Sequence, residues 1–395
     1  MSKVSFKKRR DFLPLSKPTI NAEEIKEVSN SLKSGWITTG PKVIEFEKRI
    51  KEYTGAKHCL AVNSGTAGLH TSLLSLGIGK GDEVITTPMT FAATVNVIEH
   101  TGAKPVFVDI NFGTMNICEE EIESKITKRT KAIMPVHFAG QPCDMDMILS
   151  VAKKRGIFVI EDAAHAIGTE YKGKKIGSLK SDAAVFSFHP LKNITTGEGG
   201  AVVFSKKSIG EKISLLRFHG ITSSAWKRYS QGGKAEYKLH MPGFKYNMLD
   251  IQAALGIHQI KKLDQFISRR KYLAEIYTKE LKNCETVTLP EIVNYSCRHA
   301  WHLYIIKLNL EMLKISRMQF IEELKKLNIG TGIHFQPIHI QPYYQKKYGL
   351  RKSDYPTAAK VGERILSLPL FPLMKESDIK YVCNAIKYIS KKFRR

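Results

Sequence analysis

Acidic residues are in short supply. The 395-residue chain carries 37 Asp and Glu against 62 Lys and Arg, a formal net charge of +25. Such an excess can serve nucleic acid, anionic membrane or anionic small molecules. The cations are spread along amphipathic stretches such as Lys153-Lys154-Arg155 and Lys261-Lys262, and no motif of a nucleic-acid module is present. The reading is a general surface excess, with some charge focused on a diphosphate substrate. The basic end Lys391-Lys392-Phe393-Arg394-Arg395 is the stretch that could touch acidic lipid. Cysteine is also sparse. Cys59, Cys118, Cys143, Cys284, Cys297 and Cys383 are scattered with no CxxC pair, which argues against disulfides and a metal site and for a reducing cytoplasm. No apolar run reaches the ~20 residues of a membrane span, so no integral membrane association is expected. The N-terminus is basic at Lys7-Lys8-Arg9-Arg10 but lacks the apolar core of a secretory signal. Internal repeats and low-complexity segments are missing.

A chain of this length exceeds one hydrophobic core, so two domains are expected. From Glu45 to about Ser205 strands and helices alternate, which predicts a mainly parallel α/β sheet covered on both faces. Strands are expected at Glu83–Thr87, Pro105–Asp109, Ala132–Val136, Phe158–Glu161, Ala183–Phe188 and Ala201–Phe204. Asn21–Ser34 reads as an amphipathic helix, capped by Asn21, ended by Gly35, with Ile25, Val28 and Leu32 on one face. The polar stretch Phe218–Gly243 reads as a mobile loop at the mouth of a site. The division falls at residues 1–250 and 251–395. In the smaller α/β unit Trp301–Ile306 and Ile333–Phe335 read as strands and Met318–Leu327 as a helix, with more helix after Pro356 and near Asp378.

Three stretches carry chemistry. In the first, a buried strand ends at Phe186-Ser187-Phe188-His189-Pro190-Leu191-Lys192 and runs into the Gly-rich turn Gly197-Glu198-Gly199-Gly200. Lys192 is either a surface lysine in a loop or an amine held among apolar neighbours. The second setting favours the neutral form, a nucleophile that condenses with carbonyls. In the second stretch, Phe158-Val159-Ile160-Glu161-Asp162-Ala163-Ala164-His165 puts an acid at the C-terminal end of a strand, where open α/β sheets bind ligands. Asp162 is either a helix cap or a ligand carboxylate. In the third, Asn63-Ser64-Gly65-Thr66-Ala67-Gly68 opens an apolar helix with small residues and free N–H groups, a phosphate cradle by dipole and donors. An amine, an acid and a phosphate cradle are what pyridoxal 5'-phosphate (PLP) chemistry needs. The carboxylate keeps the pyridine nitrogen protonated so that the ring accepts electrons.

On these stretches the chain resembles the DegT/DnrJ/EryC1/StrS family of PLP-dependent nucleotide-sugar aminotransferases, from Phe12-Leu13-Pro14 to Leu370-Phe371-Pro372. Ser34-Gly35-Trp36-Ile37-Thr38, Ser187-Phe188-His189 and Gly332-Ile333-His334-Phe335 resemble the UDP-4-amino-4-deoxy-L-arabinose / UDP-4-keto-sugar C4 aminotransferase branch. The resemblance implies the type I PLP-dependent transferase fold (aspartate aminotransferase-like), with a seven-stranded sheet and a homodimer sharing its active sites. It makes Lys192, Asp162 and His165 catalytic, with His165 on the 3-oxygen of the ring. Gly65, Thr66 and Ser187 hold the phosphate, Phe91 stacks on the ring, and Lys245 of the neighbouring subunit reaches the phosphate where much of the family has other residues. Gly35, Trp36, Ile37 and Thr38 border the nucleotide sugar, and His334, Phe335, Gln336 and Pro337 form the sugar pocket. His189 either contacts the sugar or braces the lysine loop. Glutamate, leaving as 2-oxoglutarate, is the implied amino donor. Lys192 argues against the dehydratases of the family, which carry His there. No helix-turn-helix stands apart from the enzyme core, against a regulatory protein. A C3 enzyme, or one for a GDP- or dTDP-sugar, stays open.

Overall fold

The computed structural model describes residues 6–221 and 236–395. The strands are β1 (His58–Val62), β2 (Glu83–Thr86), β3 (Lys104–Phe107), β4 (Thr130–Ile133), β5 (Phe158–Asp162), β6 (Ala183–Ser187) and β7 (Gly200–Phe204). They form one seven-stranded sheet in the order β1-β7-β6-β5-β4-β2-β3. Pairing is parallel from β6 through β3, and only β7 runs against its neighbours. The expected mainly parallel architecture is therefore present. Burial on both faces explains the near-continuous apolar strands Ala183-Ala184-Val185-Phe186 and Ala201-Val202-Val203.

Helices α1 (Ala22–Lys33), α2 (Pro41–Thr54), α3 (Gly65–Ser75), α4 (Ala92–Thr101), α5 (Met145–Arg155), α6 (Lys207–Leu216) and the 32-residue α7 (Asp250–Leu281) surround the sheet. One face packs Val43, Phe46 and Ile50 of α2, Ile148 of α5 and Ile257 and Leu263 of α7. The other packs Leu69 and Leu73 of α3, Ile98 of α4 and Ile213 of α6. The far half of α7 leaves the sheet. Its Leu273, Ala274, Tyr277 and Leu281 join a second core under the three-stranded sheet of β8 (Val287–Thr288), β9 (Tyr304–Leu308) and β10 (Ile365–Leu368). Helices α8 (Arg317–Lys326) and α9 (Glu376–Lys392) cover that sheet.

The helix expected over Asn21–Ser34 is present with Asn21 at its cap, and its apolar stripe faces outward, with Ile25 64% and Leu32 55% exposed, while Glu24 and Ser31 are buried. The cause is polar anchoring: the Glu24 carboxylate takes bonds from Lys262 Nζ at 2.8 Å and Gln259 Nε2 at 2.9 Å, both on α7. The Ile333–Phe335 stretch, expected as a strand, is irregular, and backbone pairing with the sheet stops at the preceding residue, in a Gly332–Ser367 bridge. The strand expected from Trp301 begins at Tyr304, after Trp301 turns with φ 47°. Most of the loop expected over 218–243 lies outside the described residues. Its described ends are pinned by bridges between Phe218 and Lys245 and between Ile221 and Leu239.

Candidate active site

Strands β1, β5 and β6 all end at one edge of the sheet, and the chemistry-bearing residues sit there. Asp162 is the last residue of β5, 5% exposed. Its Oδ1 accepts from the Ala164 N–H at 3.1 Å and its Oδ2 from the Thr94 hydroxyl at 2.7 Å. Burial pushes the carboxyl upward, and the hydrogen bonds from Thr94 and Ala164, then the charge on Lys192, oppose that without cancelling it.

Lys192 follows β6 in a turn that is stapled several ways. Phe188 N–H donates to Gly199 O at 2.9 Å and Thr196 N–H to Phe188 O at 3.0 Å. Asn193 Nδ2 donates to Ala300 O at 2.7 Å, tying the turn to the chain entering the second core. Burial pushes the Lys192 amine down to about 8, with Asp162 pulling the other way. Lys192 is half-buried and of lowered basicity, the second of the two settings expected for it rather than the surface loop.

The third part is the start of α3. Ser64 caps it by accepting from Ala67 N–H at 3.1 Å, leaving the N–H groups of Gly65 and Thr66 without intrahelical partners. The cradle has no spare room. A Cβ on Gly65 would lie 3.0 Å from Ser187 Cβ, and one on Gly200 only 2.6 Å from the Ser64 carbonyl carbon. Glycine is required here for close approach rather than for an unusual φ.

His165 is buried, and its Nδ1 has no hydrogen-bond partner. Its ring stacks on Phe335 at 5.8 Å and lies 4.3 Å from that of His302. Burial and then Lys192 hold it well below the ordinary imidazole range. His334 pairs its Nδ1 with Ser367 Oγ at 2.8 Å, and burial lowers it to about 4.

A cavity of about 360 Å³ is lined by Gly65, Thr66, Phe91, Asp162, His165, Ser187, His189, Lys192, His334 and Phe335. Ten of the expected site residues thus surround one space. Phe91 is 61% exposed with its ring 5.8 Å from that of Phe335, so it is not a core residue. The rest lie elsewhere in this chain. Thr38 borders a hollow beside α2 and α6, and Trp36 Nε1 donates to Thr39 O at 3.2 Å in the loop that carries Gly35 and Ile37. Lys245 Nζ sits 4.3 Å over the Phe218 ring. Gln336 lines an adjoining hollow, and Pro337 packs against Gly362. Sequence reasoning missed Thr90, Thr94, Glu198 and His302, which also line the cavity. The Thr-x-x-x-Thr spacing at the opening of α4 was a readable signal for two of them.

The residues present fit pyridoxal phosphate. A cramped helix N-terminus suits a phosphate, a buried carboxylate suits the ring nitrogen, and an orphaned imidazole nitrogen awaits an oxygen. The amine of depressed basicity suits the aldehyde. Comparisons with known proteins agree. The chain is 48% identical over 385 residues to the spore coat polysaccharide biosynthesis protein SpsC of Bacillus subtilis (strain 168), covering 97% of this chain and 98% of that protein. Spr1654 from Streptococcus pneumoniae in its PMP form superposes with a TM-score of 0.90 at 35% identity, covering 96% of this chain and 99% of that one. Helicobacter pylori PseC, an aminotransferase involved in the biosynthesis of pseudoaminic acid, superposes with a TM-score of 0.89 at 30% identity over 97% of this chain and 100% of that one. Residues 18–387 match the family model, and the chain belongs to the DegT/DnrJ/EryC1/StrS aminotransferase family, whose cofactor is pyridoxal phosphate.

Proposed function

We propose that the chain moves an amino group from glutamate to a nucleotide-linked 4-keto sugar, a UDP-sugar, and so supplies a 4-amino sugar for lipopolysaccharide or another surface glycan. The observation that carries this reading is the shared cavity: an amine lowered to about 8 and a buried carboxylate line one space beside a phosphate cradle. Bound pyridoxal phosphate supplies an electron sink that acidifies the C–H next to the transferred nitrogen.

The residues around it do the rest. Lys192 Nζ, released as a neutral amine, takes the proton from the α-carbon of glutamate. In the return half it delivers a proton at C4 of the sugar. A placed base of this kind contributes ~10²–10⁴-fold. Asp162 keeps the ring nitrogen cationic, and His165 donates to the 3-oxygen of the ring. Gly65, Thr66 and Ser187 hold the phosphate with neutral donors. His334, braced by Ser367, and His189 face the sugar. His189 Nδ1 accepts from Leu191 N–H at 3.2 Å, which leaves Nε2, 3.9 Å from Glu198 Oε1, to carry the proton.

A homodimer belongs to the same proposal. Ile20, Ile25, Leu32, Ile37 and Ile44 stand exposed in and around α1, the loop after it and α2. Apolar side chains grouped in this way suit burial against a second copy. That copy would bring Gly35–Thr38 and Lys245 to a site they do not reach in their own chain.

The test is a panel of UDP-, GDP- and dTDP-linked 4-keto sugars and their 3-keto counterparts with glutamate, read by product mass. Preferential amination of the UDP-4-keto sugar is expected. Preference for a 3-keto sugar, or for a GDP or dTDP handle, overturns the substrate reading.

A further inference from the structure

We propose that Thr90 and Thr94 form a hydroxyl relay that keeps Asp162 ionised and aimed into the cavity, a positioning role that rests on Asp162 serving the ring nitrogen. Thr94 Oγ1 lies 2.7 Å from Asp162 Oδ2, and Thr90 Oγ1 lies 2.6 Å from Thr94 Oγ1. A hydroxyl has one hydrogen to give. Facing a carboxylate that can only accept, Thr94 spends its hydrogen on Asp162, and Thr90 must then donate to Thr94. The direction Thr90 to Thr94 to Asp162 places a donor on Oδ2 and so favours the ionised carboxylate over the neutral one. A proton on Oδ2 would reverse or break the chain.

Surroundings strengthen the effect. Both hydroxyls are buried, so water does not compete for them. Thr94 lies in the first turn of α4, whose N-terminal dipole favours the anion. The Ala164 N–H occupies the other oxygen from the opposite side. Burial alone drives this carboxyl towards the neutral form, and the Thr94 bond is the foremost influence opposing it. A neutral acid could not hold a proton on the ring nitrogen. The relay also shares a turn with Phe91, so the residue that stacks on the ring and the one that sets its charge move together.

The test uses the holoenzyme loaded with cofactor ¹⁵N-labelled in the ring, with the nitrogen chemical shift and steady-state kinetics both measured. Thr94→Val removes the hydroxyl while keeping the branched shape. The ¹⁵N resonance should move towards that of unprotonated pyridine. The rate constant kcat should fall by about 10–100-fold, the worth of one hydrogen bond to a charged group, while KM for the sugar changes little. Thr94→Ser should restore both readings. Thr90→Val, which leaves the direct bond to Asp162 in place, should give a smaller shift in the same direction and keeps the idea testable should Thr94→Val fold poorly. A wild-type ¹⁵N shift in Thr94→Val, or identical behaviour of the Val and Ser variants, overturns the relay. Asp162→Asn in the same series separates the two levels of the argument. If it keeps a protonated ring and normal turnover, the role of Asp162 itself fails. If it loses both while Thr94→Val does not, only the relay fails.

Discussion

Burial lowers the Lys192 amine from an ordinary value of 10.5 to about 8, outweighing the opposite pull of Asp162. At pH 7.5 that leaves roughly a quarter of the cofactor-free protein with a neutral amine at residue 192, against about one part in a thousand for an ordinary lysine, a ratio of roughly 250. Removing the charge at Asp162 has a definite sign. Asp162 favours the ammonium, so Asp162→Asn must lower the midpoint further and raise the free-amine fraction, even as turnover falls. Two consequences of one substitution thus run in opposite directions, and a variant that is merely damaged would not show that. The assay is competitive labelling of the apo protein with a limiting amine reagent across pH 6–11, with Lys192 read by peptide mass and exposed lysines as internal standards. A Lys192 midpoint near 10.5 refutes the reasoning, as does an Asp162→Asn midpoint above that of the wild type.

Other perturbations test other parts of the account. Asp162→Asn should still take up pyridoxal phosphate, through the phosphate cradle and Lys192, yet lose most turnover; near-normal kcat would remove its assigned role. Gly200→Ala places a methyl 2.6–2.7 Å from backbone atoms of Ser64 and Gly65. It should cost about 1–3 kcal/mol in urea unfolding and weaken cofactor affinity, measured by fluorescence titration, because the phosphate turn must shift. Arg270 on α7 is fully buried and donates from Nη1 to the carbonyls of Leu370 at 2.7 Å, His302 at 3.2 Å and Trp301 at 3.3 Å. Arg270→Met should cost about 2–4 kcal/mol of stability by orphaning those acceptors, and kcat/KM should fall because His302 and Leu370 line the cavity.

The sheet was legible because its strands are buried on both faces and therefore read as short apolar runs such as Phe158-Val159-Ile160, broken by helices of clear period. The heart of the site was legible for a related reason. Asp162, Ser187 and Ser64 each sit at or just past the end of such a run, so strand direction alone brings them to one edge. The outward direction of the α1 stripe was not legible, because periodicity reports that a helix has an apolar face and not what covers it. Here Glu24 and Glu27 anchor the helix through Lys262, His258 and Lys42. The Ile333–Phe335 segment has β-like composition, but only Gly332 pairs its backbone with the sheet, and His334 meets Ser367 of β10 through its side chain. The Thr90–Thr94 spacing places two hydroxyls together at a helix start, but nothing in it points to the carboxylate 68 positions beyond Thr94.

Everything proposed for the site requires that Lys192, and no other lysine, carries the cofactor. Borohydride reduction of the loaded protein, followed by mapping the trapped cofactor mass to a peptide, decides whether it does. A single adduct is expected, on the peptide containing Lys192 and absent from Lys192→Ala. An adduct on a different lysine, or a Lys192→Ala variant that turns over at the wild-type rate, would contradict it.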